Sequence, residues 1–374
     1  MKNYGFNRRQ LMAACSVFFL APALRLIPQG TARLAGRAAW ISVPLALPGI
    51  LLYICFLRAF LSRRQSGEGM AELTQRALGR RAGRAALIIF ALWFMLYGSF
   101  TLRAGTERII TTMYPSAWPG AFIVPMALLC LVAALGSVRA IVRTANLLLP
   151  VLLFVILLVG GFGLFTVECE NLFPLTLRQM PGAAFASLAT VDVTLIPLYA
   201  ASFILFSESD GTPKKRGTIV WALGVTALLF ILTTEVIGCF GAELSARLTH
   251  PFFALVKNMV FFRNLERVEA LVVSLWVFSD FVVISLSIYI AQHCLRLAFG
   301  LSTAYNGERA LDLRGGRGLI WLVALVTAAA AFFIAPDPQH MDLWSSWYIP
   351  TGSLTMALVI FPLIYIIGRV RKRI

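Results

Sequence analysis

The chain has 374 residues, of which 59% are hydrophobic and 13% charged, with a mean hydropathy of +0.81. That balance excludes a soluble globular chain and predicts a polytopic membrane protein. The formal net charge of +16 would suit a nucleic-acid binder only if the basic residues gathered on one folded surface; they fall in short clusters between apolar runs, so no nucleic-acid partner is expected and the charge reads as a topology signal.

Runs of about 20 apolar residues mark transmembrane candidates. Ten are predicted in chain order, near 11–29, 38–58, 85–111, 120–136, 145–166, 183–206, 217–241, 268–296, 318–335 and 347–368. Lys2, Arg8, Arg9 and an apolar run ending at Ala21-Pro22-Ala23 imitate a secretory signal, but many spans follow, so the run is taken as the first span. With the N-terminus inside, 23 of the 33 basic residues fall on the cytoplasmic side, while 112–119 and 336–346 carry neither Lys nor Arg. Both termini are therefore expected in the cytoplasm.

Between the spans, GMAELTQRALG in the cytoplasmic 59–84 segment has helical character. In the outer connection 242–267, Phe252, Phe253, Leu255, Val256, Met259, Val260 and Phe262 recur at helical spacing after His250-Pro251, which predicts an interfacial amphipathic helix. The six cysteines are scattered without a CxxC pair. A Cys169–Cys239 bridge is conceivable, but free thiols are the expectation.

The sixth span carries three features that a simple anchor avoids: Asp192, Pro197, and the threonines Thr190 and Thr194. A carboxylate at this depth costs about 2.5–3.5 kcal/mol on insertion scales, so it faces a partner, a cavity or a substrate path. Pro197 removes a backbone donor at nearly the same depth. The first span is similarly marked by Pro22, Arg25 and Pro28. Two sets of five spans, each opening on an interrupted helix, predict an all-α transporter fold of 5+5 inverted repeats, about 11–166 and 183–368, with broken helices 1 and 6 and a midplane site. Together these form one integral membrane domain.

Two roles stand open for each charged residue. Asp192 either receives a cation or ammonium, or pairs with Arg25 and locks spans one and six. Arg25 either receives a carboxylate bidentately or snorkels toward the outer surface. Asp280, among Ser279, Ser285 and Ser287, is either a relay site or a helix–helix hydrogen bond. Arg103 and Glu107, four residues apart, suit a local ion pair, and Glu235 suits a rim residue. His250, His293 and His340 are separated in topology, and no nucleophile–base constellation or phosphate loop occurs. Neither a metal site, a cofactor nor enzymatic chemistry is expected.

Gln10, Pro28 and Ala35-Gly-Arg-Ala-Ala-Trp40-Ile-Ser42, then Asn146-Leu-Leu-Leu-Pro150, Asn171-Leu-Phe-Pro174, and Glu266-Arg267-Val-Glu269-Ala270 leading to Trp276-Val-Phe-Ser-Asp280-Phe, occur in an order that resembles the spore germination permease family. This family comprises the B subunits of nutrient germinant receptors, within the amino acid/polyamine/organocation transporter superfamily. The resemblance covers essentially the whole chain. It implies a pocket between spans one, six, three and eight, closed by Tyr97 and Phe100, that binds a small nutrient, expected to be an amino acid. It also implies a receptor A subunit and a lipoprotein C subunit as partners, and the inner membrane of a spore as the location, with the termini on the core side. Where relatives have a glycine-bearing break in span one, this chain reads Phe19-Leu-Ala-Pro22-Ala-Leu-Arg25. An ion-coupled secondary amino-acid transporter and a non-responsive copy are the alternatives to a sensor.

Overall fold

The structure is a computed structural model that describes residues 8–65, 68–204, 215–258, 268–301 and 316–374. Among these residues every regular element is helical. In order they are α1 Arg8–Ala35, α2 Ala39–Leu45, α3 Leu47–Leu61, α4 Met70–Leu78, α5 Arg80–Thr112, α6 Gly120–Leu135, α7 Val138–Gly163, α8 Cys169–Leu172, α9 Met180–Phe203, α10 Lys215–Arg247, α11 Pro251–Asn258, α12 Val268–Phe299, α13 Gly316–Phe333, α14 Pro338–Leu343, α15 Ile349–Thr355 and α16 Phe361–Val370. Among the described residues seven segments are long and apolar enough to cross a membrane: Pro22–Leu61, Arg80–Thr112, Val138–Thr166, Leu177–Phe203, Arg216–Arg247, Val272–Phe299 and Gln339–Val370. Three shorter apolar helices, Arg9–Leu20, Gly120–Leu135 and Gly318–Phe333, accompany them. The chain is an integral membrane protein.

Burial sorts these helices. α9 and α12 have the most enclosed membrane-length segments, whereas α7 and the last segment leave most of theirs facing outward. α1 packs chiefly on α9 and α10, and α5 on α12. Where α1 runs into α2 against the start of α9, the contact is built from Ala32, Ala35, Ala38, Ala39, Ala183 and Ala186. Small side chains are what allow two backbones to approach closely in a bilayer. Gly182 is the tightest point, where a Cβ would lie 2.4 Å from the Leu34 carbonyl oxygen.

The expected interruptions of spans one and six take a different form. α1 contains Pro22 and Pro28 and α9 contains Pro197, yet each is a single helical element. A proline inside a helix still leaves a carbonyl one turn earlier without its N–H. Side chains of neighbouring helices then approach the backbone near these points: Ser279 donates to the Val17 carbonyl, and the Cys15 thiol lies 3.7 Å from the Pro197 carbonyl. In the last span, by contrast, π-helical turns at Trp344–Tyr348 and Met356–Ile360 each lead into a helix with a proline in its first turn, Pro350 and Pro362. A π-turn re-spaces the hydrogen-bond ladder, which relieves the missing donor.

Other boundaries follow local chemistry. Ser137 caps α7 by accepting from the Ala140 N–H, and Asp337 caps α14 by accepting from the His340 N–H at 2.8 Å. The seventh span was expected to end at 241, and Gly241 is where α10 bends, at φ +71°. The amphipathic helix expected in 242–267 is present as α11 up to Asn258; residues 259–267 lie outside the described residues. Its apolar residues Phe252, Phe253, Leu255 and Val256 are buried in protein, against α1, α7, α10 and α12, and not in a lipid interface. These side chains share one face of α11, and Lys257 lies exposed on the other. All six cysteines are free.

Candidate functional site

The buried stretch Thr190–Phe203 of α9 faces α1, α3 and α15, and Asp192 is its only ionisable carboxylate. Asp192 is 1% exposed, and its Oδ1 has no hydrogen-bond partner. Ser353 of α15 faces both Asp192 and Tyr199, but its hydroxyl is out of hydrogen-bonding geometry to any partner. Tyr199, two turns after Asp192, accepts from Trp93 Nε1 at 2.9 Å. That bond ties α5 to α9, and Gly352 of α15 gives Trp93 its room, since a Cβ there would meet the indole at 2.3 Å. The result is an enclosed cluster of hydroxyls around one carboxylate.

Tyr97 links this cluster to the charged groups of α1 and α12. It stacks on Phe18 of α1, with ring centroids 5.9 Å apart and planes 6° apart, and lies within electrostatic reach of Asp192, Tyr199, Arg25 and Asp280. Arg25, one turn after Pro22, places its guanidinium 4.7 Å from the centroid of the Phe100 ring, and its Nε has no partner. A guanidinium over an aromatic face gains cation–π attraction while its remaining N–H groups stay available. Arg25 is thus neither paired with Asp192 nor extended to the surface. No ion pair joins Arg25 and Asp192 among the described residues.

The other expected residues divide. Pro22 is buried within α1. Thr190 is buried with an unpartnered hydroxyl, whereas the Thr194 hydroxyl donates back to the Thr190 carbonyl at 2.7 Å. Asp280 is engaged by Arg108 of α5 in an ion pair whose side chains are each 3% exposed. The Arg108 guanidinium also lies 5.2 Å from the centroid of the Trp276 ring. Asp280 further borders a cavity of about 240 Å³ lined by α5, α6 and α12, in which Gly105, Thr106, Phe122 and Met126 take part. Arg103 and Glu107 form the expected pair at 2.9 Å, and Arg103 also donates to the Ala335 carbonyl.

Arg108, Tyr199, Trp93 and Ser353 had not been singled out from sequence. Arg108 had a readable signal: it lies eleven residues, about three turns, after Tyr97, on the same face of α5. Trp93 and Ser353 had none, because their roles depend on which helices meet. Glu235, expected at a rim, is fully buried.

α4 packs against α5 and α16 and touches α12 and α9. Its Glu72 lies 2.9 Å from His293 of α12 and accepts from the Gly69 N–H. Burial raises the Glu72 carboxyl, but the hydrogen bond and charge of His293, with backbone N–H groups of Glu72 and Gly69, outweigh it and hold the group below its usual range. Arg371 donates to the Leu78 carbonyl and Arg76 to the Arg373 carbonyl, joining α4 to the C-terminal tail.

Residues 7–337 match the family model described as "Spore germination protein". Curated relatives include Spore germination protein A2 of Bacillus subtilis (strain 168), 22% identical over 89% of this chain and 87% of its own length. Spore germination protein GerQB of Bacillus cereus is 24% identical over 74% of this chain and 75% of its own. Among solved structures, a substrate-bound outward-open Na⁺-coupled sialic acid symporter of the LeuT fold superposes with a TM-score of 0.60 at 14% identity, covering 94% of this chain and 79% of its own. That likeness establishes a transporter fold. With the family model spanning most of its length, the chain belongs to the spore germination protein family.

Proposed function

We propose that the chain is the permease-like subunit of a spore nutrient-germinant receptor and that it binds a small zwitterionic nutrient, an amino acid, between α1, α5, α9 and α15. The observation that carries this reading is Asp192, buried with a bare oxygen beside Tyr97, Tyr199 and Ser353. Such a carboxylate is built to accept an ammonium group, because an unpaired charge here has no other return on its desolvation. Arg25, held over Phe100 with free N–H groups and linked to Asp192 through Tyr97, supplies the opposite pole for a carboxylate. Thr190 completes the polar wall.

In this reading ten spans form two inverted repeats, about 11–166 and 183–368, with α1 and α9 as the equivalent first helices. Both termini face the spore core, and the chain sits in the spore inner membrane with an A subunit and a lipoprotein C subunit. Nutrient binding shifts the balance of pocket states, and the partners read the shift. Asp280 is assigned to holding α12 against α5, not to the ligand.

The test is a nutrient screen on spores in which this receptor is the sole one of its class, with and without the chain. An amino acid that triggers germination only when the chain is present supports the reading, and identical responses to every nutrient overturn it. The symporter likeness keeps ion-coupled transport as the second reading. Accumulation of the same amino acid in proteoliposomes holding this chain alone, under a proton or sodium gradient, would establish it.

A further inference from the structure

Glu235 lies in α10, six residues or about 9 Å before the Gly241 bend, inside the seventh apolar span. It is 0% exposed, and neither carboxylate oxygen has a hydrogen-bond partner. Its head rests on Gly160 of α7: a Cβ at Gly160 would lie 3.4 Å from Oε1 and 3.7 Å from Oε2, with Leu232 at 3.8 Å beside it. A Cβ at Gly160 would sit in van der Waals contact with the carboxyl, so the head of Glu235 lies directly against the α7 backbone.

The elements packed on α10 are α1, α2, α3, α7, α8 and α11 with the turns at Gly36–Ala38 and Leu164–Thr166. None brings a charged group that acts on Glu235. Cys239, one turn further along α10, faces Thr166 and Glu168. An ionised carboxylate in this place would be shut off from solvent with neither a counter-ion nor a hydrogen-bond donor among the described residues, which is the costliest state for a buried polar group. A metal ion would need several oxygen ligands, and the described residues hold no group of three or more His, Cys, Asp or Glu.

We infer that Glu235 is an intramembrane proton-binding site, occupied as the neutral acid when α7 and α10 are closed together over Gly160. The ligand is a proton from solvent, taken on one carboxylate oxygen and returned as H⁺ when the interface parts and water reaches the group. The site belongs to α10 and α7, apart from the residues around Asp192, so it stands whether or not a nutrient binds there. It gives the closed α7–α10 interface a dependence on proton concentration.

Infrared spectra of the purified full chain in lipid nanodiscs at neutral pH test this directly by subtracting E235Q from the parent protein. The expected difference is loss of one protonated-carboxyl C=O band, unaltered when sodium replaces potassium. Loss of a carboxylate band instead, or a protonated band that disappears in sodium, overturns the inference. E235D, which keeps the acid but draws it back from Gly160, serves if E235Q fails to fold, and should shift the same band. Thermal unfolding adds a second readout: a carboxyl held neutral by the fold stabilises it fully below the ordinary carboxylate range and progressively less as pH rises from there past neutral, so the parent protein should lose more stability over that rise than E235Q does, and superimposable profiles would contradict the proposal.

Discussion

Arg108 on α5 and Asp280 on α12 form an ion pair sealed from solvent on both sides, with the indole of Trp276 against the guanidinium. The pair joins the two helices that pack most extensively on each other, which makes Asp280 a structural partner first. Removing one member leaves the other buried and uncompensated. Asp280→Asn or Arg108→Met alone should therefore cost about 3–5 kcal/mol, and replacing both with apolar residues should cost less than either single change. Unfolding of the purified variants, arranged as a double-mutant cycle, measures it.

Gly182 offers a test of the α1–α9 contact. A Cβ there meets the Leu34 backbone carbonyl at 2.4 Å, an atom that cannot step aside as a flexible side chain would. Gly182→Ala should destabilise by about 1–3 kcal/mol. At Gly224 of α10 a Cβ meets nothing within 4 Å, so Gly224→Ala should be neutral or slightly stabilising. Thermal midpoints in one detergent compare the two.

The Glu72–His293 contact predicts an acid-side dependence. Because Glu72 is held below its usual value of 4.5, its contribution is fully present above that value and is lost as pH falls through the lowered one. Glu72→Gln should flatten the stability profile on the acid side of pH 4.5 and leave the neutral plateau lower, since the carboxylate charge facing His293 is lost at every pH while an acceptor oxygen remains. Melting curves at stepped acidic pH read both effects.

Much of this was legible from residues alone. The apolar runs, the bend of α10 at Gly241, the Arg103–Glu107 pair and the burial of Asp192 follow from local spacing and the cost of charge in a bilayer. The prolines pointed to the right helices but not to their geometry: α1 and α9 each continue as one helix through them, with Ser279 and Cys15 of neighbouring helices bonded to the nearby Val17 and Pro197 carbonyls. Pairings between distant helices were not legible. Arg108 meets Asp280 across 172 residues of chain, and Ser353 reaches Asp192 only because α15 packs on α9. Glu235 looked like a rim residue because sequence gives depth along a helix but not which face meets a glycine.

Asp192 and Arg25 are the two poles of the proposed nutrient pocket. Germination of spores whose only copy of the chain carries Asp192→Asn or Arg25→Gln, with membrane levels of the variants checked by immunoblot, tests it most directly. Each change removes one charge-assisted hydrogen bond, about 1.5–3 kcal/mol, so the nutrient concentration for half-maximal response should rise roughly ten- to hundredfold. The double variant should not respond. An unchanged dose–response in the double variant at normal membrane levels would contradict the account.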